Sequence, residues 1–232
     1  PWTIVGPDVI VGEGSEIGSH VVLKGPTVLG SNVKVFQFST VGEGTPALAY
    51  DGESTSLEIG EGTVIREGVT IHRGTLGRGT GCTIVGKNCL LMAYVHIGHD
   101  CVLGDKVIMA NNASVAGHVV VGDYANFGGY SGVPQFRSIG ENTHIAAMSL
   151  VTKDVPAFMT VAGNPASAVG LNLEGMRRRD FSTDVLAALK ESHKIVYRSG
   201  LTKNKALTQI AELRSKYSEV EKFARSIECS ES

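Results

Sequence analysis

Large rings, long hydrophobic runs and charge of one sign are all scarce in this 232-residue chain. Aromatic residues make up 6% of it, with a single tryptophan, which argues against an ordinary core of packed rings. No apolar run approaches the roughly 18 residues of a membrane-crossing helix, and no secretory signal is visible. Lysine and arginine number 21 against 23 acidic residues, a net charge of −2, so there is no basic field to attract nucleic acid. The four cysteines, Cys82, Cys89, Cys101 and Cys229, form neither a CxxC pair nor a regular framework. A reduced, cytoplasmic protein fits that usage. The length allows a substantial core, in one large domain or two small ones.

Glycine, in contrast, is abundant at 29 residues, and much of it falls on a beat. Every sixth residue is aliphatic from Val5 through Val11, Ile17, Leu23, Leu29 and Val35 to Val41, and again at Ile59, Ile65 and Ile71. A third run goes from Val85 through Leu91, Ile97, Leu103, Met109, Val115, Val121, Phe127, Val133, Ile139 and Ile145 to Val151. The chain begins at Pro1 in mid-beat, so further residues are expected ahead of it. The residue after each aliphatic is mostly Gly or Ala, and the fourth is usually small or β-branched, as at Ser15, Val21, Cys89, Cys101 and Ala113.

Such a period is neither helical nor simple alternation. It predicts a parallel β-helix of hexapeptides, each short strand turning one aliphatic and one small residue inward, with Gly or Ala easing the corner. The pattern resembles the left-handed β-helix family, in which three hexads close one triangular coil. Residues 18 apart in the sequence then stack on neighbouring coils, about 4.8 Å apart. The left hand is implied by the resemblance alone, because crossovers between parallel strands are usually right-handed.

Two breaks, residues 43–57 with Pro46 and the glycine-rich 76–82, read as loops. The beat dies after Asn164-Pro165, which sets a β-helix over 1–165 and a helical domain over 166–232. There Ser182 is the expected N-cap of a helix that stops at Gly200. One helix is expected over 202–217 and a short one over 218–227. "GCTIVGKN" mimics a P-loop, but Asn88 stands where Ser or Thr belongs and the hexad runs through it. The sequon Asn112-Ala113-Ser114 falls inside the repeat.

Stacking by 18 brings chemistry together. His99, Gly117 and Gln135 form one column, Asp100 and His118 the next, and His96 lies half a hexad back along the coil. A histidine, a carboxylate, a second histidine and a glycine amide are an inventory for general-base catalysis with an oxyanion donor. Three histidines also suit zinc, but the His-x4-His pair of the γ-class carbonic anhydrases is absent, and no metal is expected. Taken singly, His20, His72, His144 and His193 read as inert surface residues, and Arg177 to Arg179 as a solvated helix face.

Four segments carry a more specific resemblance: "IREGVTIHRGT" (65–75), "AYVHIGHDCVLGD" (93–105), "ANNASVAGHVVVGD" (110–123) and "LNLEGMRRRDFS" (171–182). They are similar to the UDP-N-acetylglucosamine acyltransferases that open lipid A biosynthesis, over nearly the whole chain. The resemblance implies transfer of a 3-hydroxyacyl group from the phosphopantetheine of acyl carrier protein to the 3-hydroxyl of the sugar. No bound cofactor is implied, and the enzyme is expected as a cytoplasmic homotrimer of a Gram-negative-type bacterium. It assigns the base to His99, its supporting carboxylate to Asp100 and the oxyanion amide to Gly117. Substrate contacts fall on His72, His96, His118, Gln135, Asn172, Glu174, Arg178 and Arg179, and the acyl-chain pocket on Ala147 and Met148. Two adjacent arginines suit phosphates, and Asn and Glu suit uracil and ribose.

The chain departs from the family pattern at Pro46, Ala47 and Ala49, where polar, acidic and basic residues are usual, and at Pro134, usually histidine. Arg137 takes a small inward position, so either the coil opens there or the side chain reaches out. These departures keep alternatives open: a paralogue acting on another UDP-sugar, such as a 3-amino sugar, an acetyl-CoA-dependent sugar acetyltransferase, or a noncatalytic scaffold that binds a sugar nucleotide.

Overall fold

The computed structural model describes residues 1–48, 50–77 and 79–230. Two- to four-residue strands stack in register, Ile97 pairing with Val115 and Val115 with Val133. Up to His144–Ile145 every third strand joins the same sheet, giving among the described residues sheets of seven, seven and nine strands, parallel except for the last strand of the third, that form the faces of a left-handed prism. The first sheet contains Thr70–His72, His96–Ile97, Ser114–Val115 and Gly132–Val133, and the second Cys82–Val85, Val102–Leu103 and Val120–Val121. The third contains Ile108–Met109, Asn126–Phe127 and His144–Ile145.

The hexad aliphatics fill the prism. From Leu23 to Val151 each is buried, whereas Val5 and Val11 in the first coil are exposed. The small fourth-position residues Val21, Cys89, Cys101 and Ala113 are buried beside them. Removal of this apolar area from water is the main stabilising term.

The corners work differently from the expectation. The left-handed backbone falls three residues after most of the aliphatics and, apart from Gly14, Gly62 and Gly68, is held by non-glycine residues such as Asn32, Asn88, Asp100, Asn112, His118 and Asn142, with φ of 54° to 62°. An L-residue there costs about 1 kcal/mol or more. The same residue donates its N–H to an acceptor on the preceding coil, His118 to the His99 carbonyl at 2.9 Å, Asn142 to the Asp123 carbonyl at 2.8 Å and Asp100 to Thr83 Oγ1 at 2.8 Å, which offsets the cost. Glycine directly after the aliphatic answers crowding instead: a β-carbon at Gly98 would lie 2.7 Å from Ala116 C and Gly117 N.

The two interruptions are insertions between paired strands. Thr40 pairs with Thr70 across the first, and Ser56 with Cys82 across the second. Strand structure reaches Glu43 and resumes at Ser56 and at Cys82, so the ladder trims both expected loops. Residues 166–171, expected with the helices, form a strand, Ala166–Leu171, antiparallel to Met159–Gly163 at the end of the third sheet.

Among the described residues five helices follow: α1 (Leu173–Arg177), α2 (Thr183–Arg198), α3 (Lys203–Gln209), α4 (Ala211–Lys216) and α5 (Ser218–Cys229). Ser182 caps α2 by accepting from the Val185 N–H, and Gly200 takes φ 71° just beyond its end. The single helix expected over 202–217 divides at Ile210, whose backbone (φ −90°, ψ 7°) leaves the helical range while its side chain is buried. Leu186 and Leu189 of α2 and Val220, Phe223 and Ile227 of α5 belong to the same continuous core as the prism. Ser226 Oγ accepts from the Ala157 N–H, fastening α5 to the last coils.

Candidate active site

At the corner between the first and second sheets the chain turns through Gly98, His99 and Asp100. His99 Nδ1 lies 2.8 Å from Asp100 Oδ2, and the Asp100 carboxylate is 1% exposed. One coil on, Gly117 lies under the imidazole, where a β-carbon would stand 2.5 Å from His99 Nε2 and Cε1. The Gly117 N–H donates to no acceptor among the described residues. His118 meets the His99 ring edge to face at 4.8 Å and stacks on Phe136 at 4.5 Å. His96 bonds Thr70 Oγ1 through Nδ1 at 2.8 Å, and its ring lies 5.0 Å from that of His72. A cavity of about 260 Å³ is lined by His72, His96, His99, Gly117 and Gln135, with Thr45, Pro46 and Ala47 of the first loop at its side. Ala49 lies outside the described residues, and Pro134 is exposed next to Gln135.

Electrostatics sort these groups. Burial alone would raise the Asp100 carboxyl, but hydrogen bonds from Thr75 and His99 outweigh it and hold it below the usual range. The anion accepts from Thr75 N–H and Oγ1–H and from the Thr80 and Gly81 N–H groups. Burial, with the neighbouring His96 and His99 imidazoles, pushes His72 down to about 4. Burial likewise lowers His96 and His118. Near pH 7 those three imidazoles are neutral beside one carboxylate. His99, Asp100 and His118 bring three possible metal-ligating atoms within 4.8 Å. The carboxylate oxygens, however, already face N–H and O–H donors, a donor set made for a hydrogen-bonded His–Asp pair.

The second group of expected residues lies elsewhere. Asn172 caps α1 by accepting from the Gly175 N–H and donates Nδ2–H to the Asn142 carbonyl at 2.9 Å. Arg178 is exposed and pairs with Glu174 at 2.9 Å. Arg179 is occupied internally: it donates to Asn142 Oδ1 and the Tyr124 carbonyl, each at 2.9 Å, and lies over the Tyr124 ring. A cavity of about 300 Å³ gathers Asn172, Glu174, Arg178 and Arg179 with Ile108, Asn126 and His144. The sequence reading missed His144, although the 18-residue column Ile108, Asn126, His144 on the third sheet points to it. Within one chain the hydrophobic core separates this face from the His99 corner. Ala147 and Met148 sit exposed at the corner between the third and first sheets, Met148 with φ 60°. Arg137 reaches out to Asp154, its Nη1 3.8 Å from Oδ1.

A prism of hexads with a buried His–Asp pair at a corner defines a hexapeptide-repeat transferase, and the bacterial transferase hexapeptide repeat matches residues 82–117. The family described as UDP-N-acetylglucosamine O-acyltransferase, domain 2, matches residues 154–232. A relative from Saccharophagus degradans named acyl-[acyl-carrier-protein]–UDP-N-acetylglucosamine O-acyltransferase is 52% identical over 213 residues, covering 92% of this chain and 82% of the relative. One of the same name from Pseudomonas putida is 54% identical over 227 residues, covering 98% and 88%. Among solved structures, LpxA from Acinetobacter baumannii aligns at a TM-score of 0.92 with 42% identity, covering 100% of this chain and 94% of that one. The UDP-N-acetylglucosamine acyltransferase of Francisella novicida aligns at 0.95 with 36% identity, covering 99% and 84%. The chain belongs to the acyl-[acyl-carrier-protein]–UDP-N-acetylglucosamine O-acyltransferase family.

Proposed function

We propose that this protein transfers a 3-hydroxyacyl group from acyl carrier protein to the 3-hydroxyl of UDP-N-acetylglucosamine, the first step of lipid A biosynthesis. The observation that carries the mechanism is the 2.8 Å contact from His99 Nδ1 to Asp100 Oδ2. A carboxylate only accepts, so in this reading the proton sits on Nδ1 and the Nε2 lone pair is free on the Gly117 side. Nε2 takes the sugar hydroxyl proton as that oxygen attacks the thioester carbonyl. The Gly117 N–H holds the developing oxyanion, and the phosphopantetheine thiol leaves with the proton returned from His99. His72, His96, His118 and Gln135 border the acceptor. Thioester chemistry of this kind needs no covalent enzyme intermediate.

Asn172, Glu174 and Arg178 are the nucleotide contacts in this reading, with Arg179 supporting them from within. They reach a His99 site only on a neighbouring copy, because their own lies across the core. This geometry supports a homotrimer with sites between subunits. The acyl chain would lie over the outer face of the first sheet, where the column His96, Ser114, Gly132 thins toward Ala147 and Met148.

One observation favours a second acceptor. Pro46 and Ala47 present apolar groups to the cavity, so a UDP-sugar differing at its 3-substituent, such as a 3-amino sugar, is the alternative. An acyl-transfer assay with 3-hydroxyacyl carrier proteins of several lengths and a panel of UDP-sugars tests both. Turnover of UDP-N-acetylglucosamine supports the main reading, preference for the amino sugar the second, and binding without turnover of any pair a noncatalytic scaffold.

A further inference from the structure

The second interruption of the repeat and Thr75, the residue that leads into it, converge on one group. Thr75 Oγ1–H donates to Asp100 Oδ2 at 2.6 Å, the same oxygen that faces His99 Nδ1. The Thr75 N–H also reaches Oδ2, at 3.0 Å, while the Thr80 and Gly81 N–H groups take Oδ1 at 3.0 and 3.2 Å. On the other side Thr83 Oγ1 accepts from the Asp100 N–H at 2.8 Å. Gly79 approaches so closely that a β-carbon there would run into Oδ1. The loop is tied in turn to the first interruption, since Glu53 Oε1 accepts from the Leu76 N–H at 3.1 Å.

A carboxylate at a β-helix corner would otherwise be free to rotate about its terminal bond. Backbone donors hold Oδ1 three times over, from Thr75, Thr80 and Gly81, but Oδ2 only through the Thr75 N–H, which is shared between the two oxygens. Besides His99, the Thr75 hydroxyl is the one side-chain group hydrogen-bonded to the carboxylate among the described residues, His118 Nδ1 standing 3.9 Å from Oδ2. We infer that Thr75 is a positioning residue for the reaction: its hydroxyl locks the Asp100 carboxylate in the plane that aims His99 Nε2 at the acceptor. This rests on the general-base reading of His99. Loss of the hydroxyl leaves substrate binding intact and loosens the base, and small misplacements of a reacting group cost up to about 100-fold in rate.

The test compares Thr75→Val, which keeps the shape and the N–H, Thr75→Ser, which keeps the hydroxyl, and His99→Ala, with kcat normalised to the folded fraction from thermal melts. The expected result is a kcat about tenfold or more lower in Thr75→Val with KM for both substrates within about twofold, and near-complete recovery in Thr75→Ser. Wild-type kcat in Thr75→Val, or equal impairment of the Val and Ser variants, beside an inactive His99→Ala overturns the role of Thr75 alone. Full activity in His99→Ala overturns the general-base reading, and this inference with it.

Discussion

The His99 imidazole lies directly over Gly117, leaving no room for a side chain: a β-carbon at 117 would stand 2.5 Å from both Nε2 and Cε1. Glycine is needed here for the approach of a ring, not for a special backbone angle. In Gly117→Ala the methyl group pushes the imidazole off its Asp100 partner. Activity is expected to fall by about 10²-fold or more, the scale of a lost oxyanion contact. Steady-state kinetics beside a thermal melt checks this, since an inactive variant must still be folded.

Asp100→Asn places an amide where only acceptors fit. Either its NH2 meets the Thr75 and His99 donors, or it meets the Thr80 and Gly81 N–H groups. A stability loss of about 1–3 kcal/mol is expected from the unsatisfied donors, with activity down about 10²- to 10⁴-fold. Because the folded carboxyl lies below its ordinary value of 3.8, its stabilisation is complete above that pH. It is lost as pH falls through the folded value. Urea unfolding should show the widest gap between wild type and variant at pH 7, closing below pH 3.8.

His72 titrates in the same sense but at higher pH. Its folded value of about 4 lies under the ordinary 6.5, so the unfolded chain binds the extra proton between the two. Its contribution to stability is therefore full above pH 6.5 and declines as pH falls toward 4. The urea midpoint of the wild type should drop between pH 7 and pH 5, and His72→Gln should flatten that drop. A variant with the same slope as wild type would remove His72 as the cause.

The adjacent arginines should separate cleanly. Arg178 is exposed in a pair with Glu174, and such pairs contribute about 0–1 kcal/mol. Arg178→Ala should raise KM for the UDP-sugar with an unchanged melting temperature. Arg179→Ala strips hydrogen bonds from Asn142 and from the Tyr124 carbonyl. It should destabilise the protein by about 1–3 kcal/mol, a shift that differential scanning calorimetry resolves.

The hexad alone determined the prism and the columns on it. A strand ladder repeats at the period of the coil, so residues 18 apart meet whatever lies between them, and His99, Gly117, Asp100 and His118 could be placed together before any coordinates. Local caps were equally legible: Ser182 and Gly200 act through their immediate neighbours.

Tertiary structure decided what has no period. The glycine-rich break folds back on Asp100 mostly through backbone N–H groups that any residue carries, and the one hydroxyl that joins them, on Thr75, has no spacing that announces the carboxylate it meets. Helix spacing treats Arg178 and Arg179 as equals; packing of α1 against Tyr124 and Asn142 turns one inward and leaves the other to solvent. The same packing brings His144 beside Asn172 and sets that face across the core from His99. The repeat determined which residues stack, and the docking of its irregular pieces decided which of them are held ready to react.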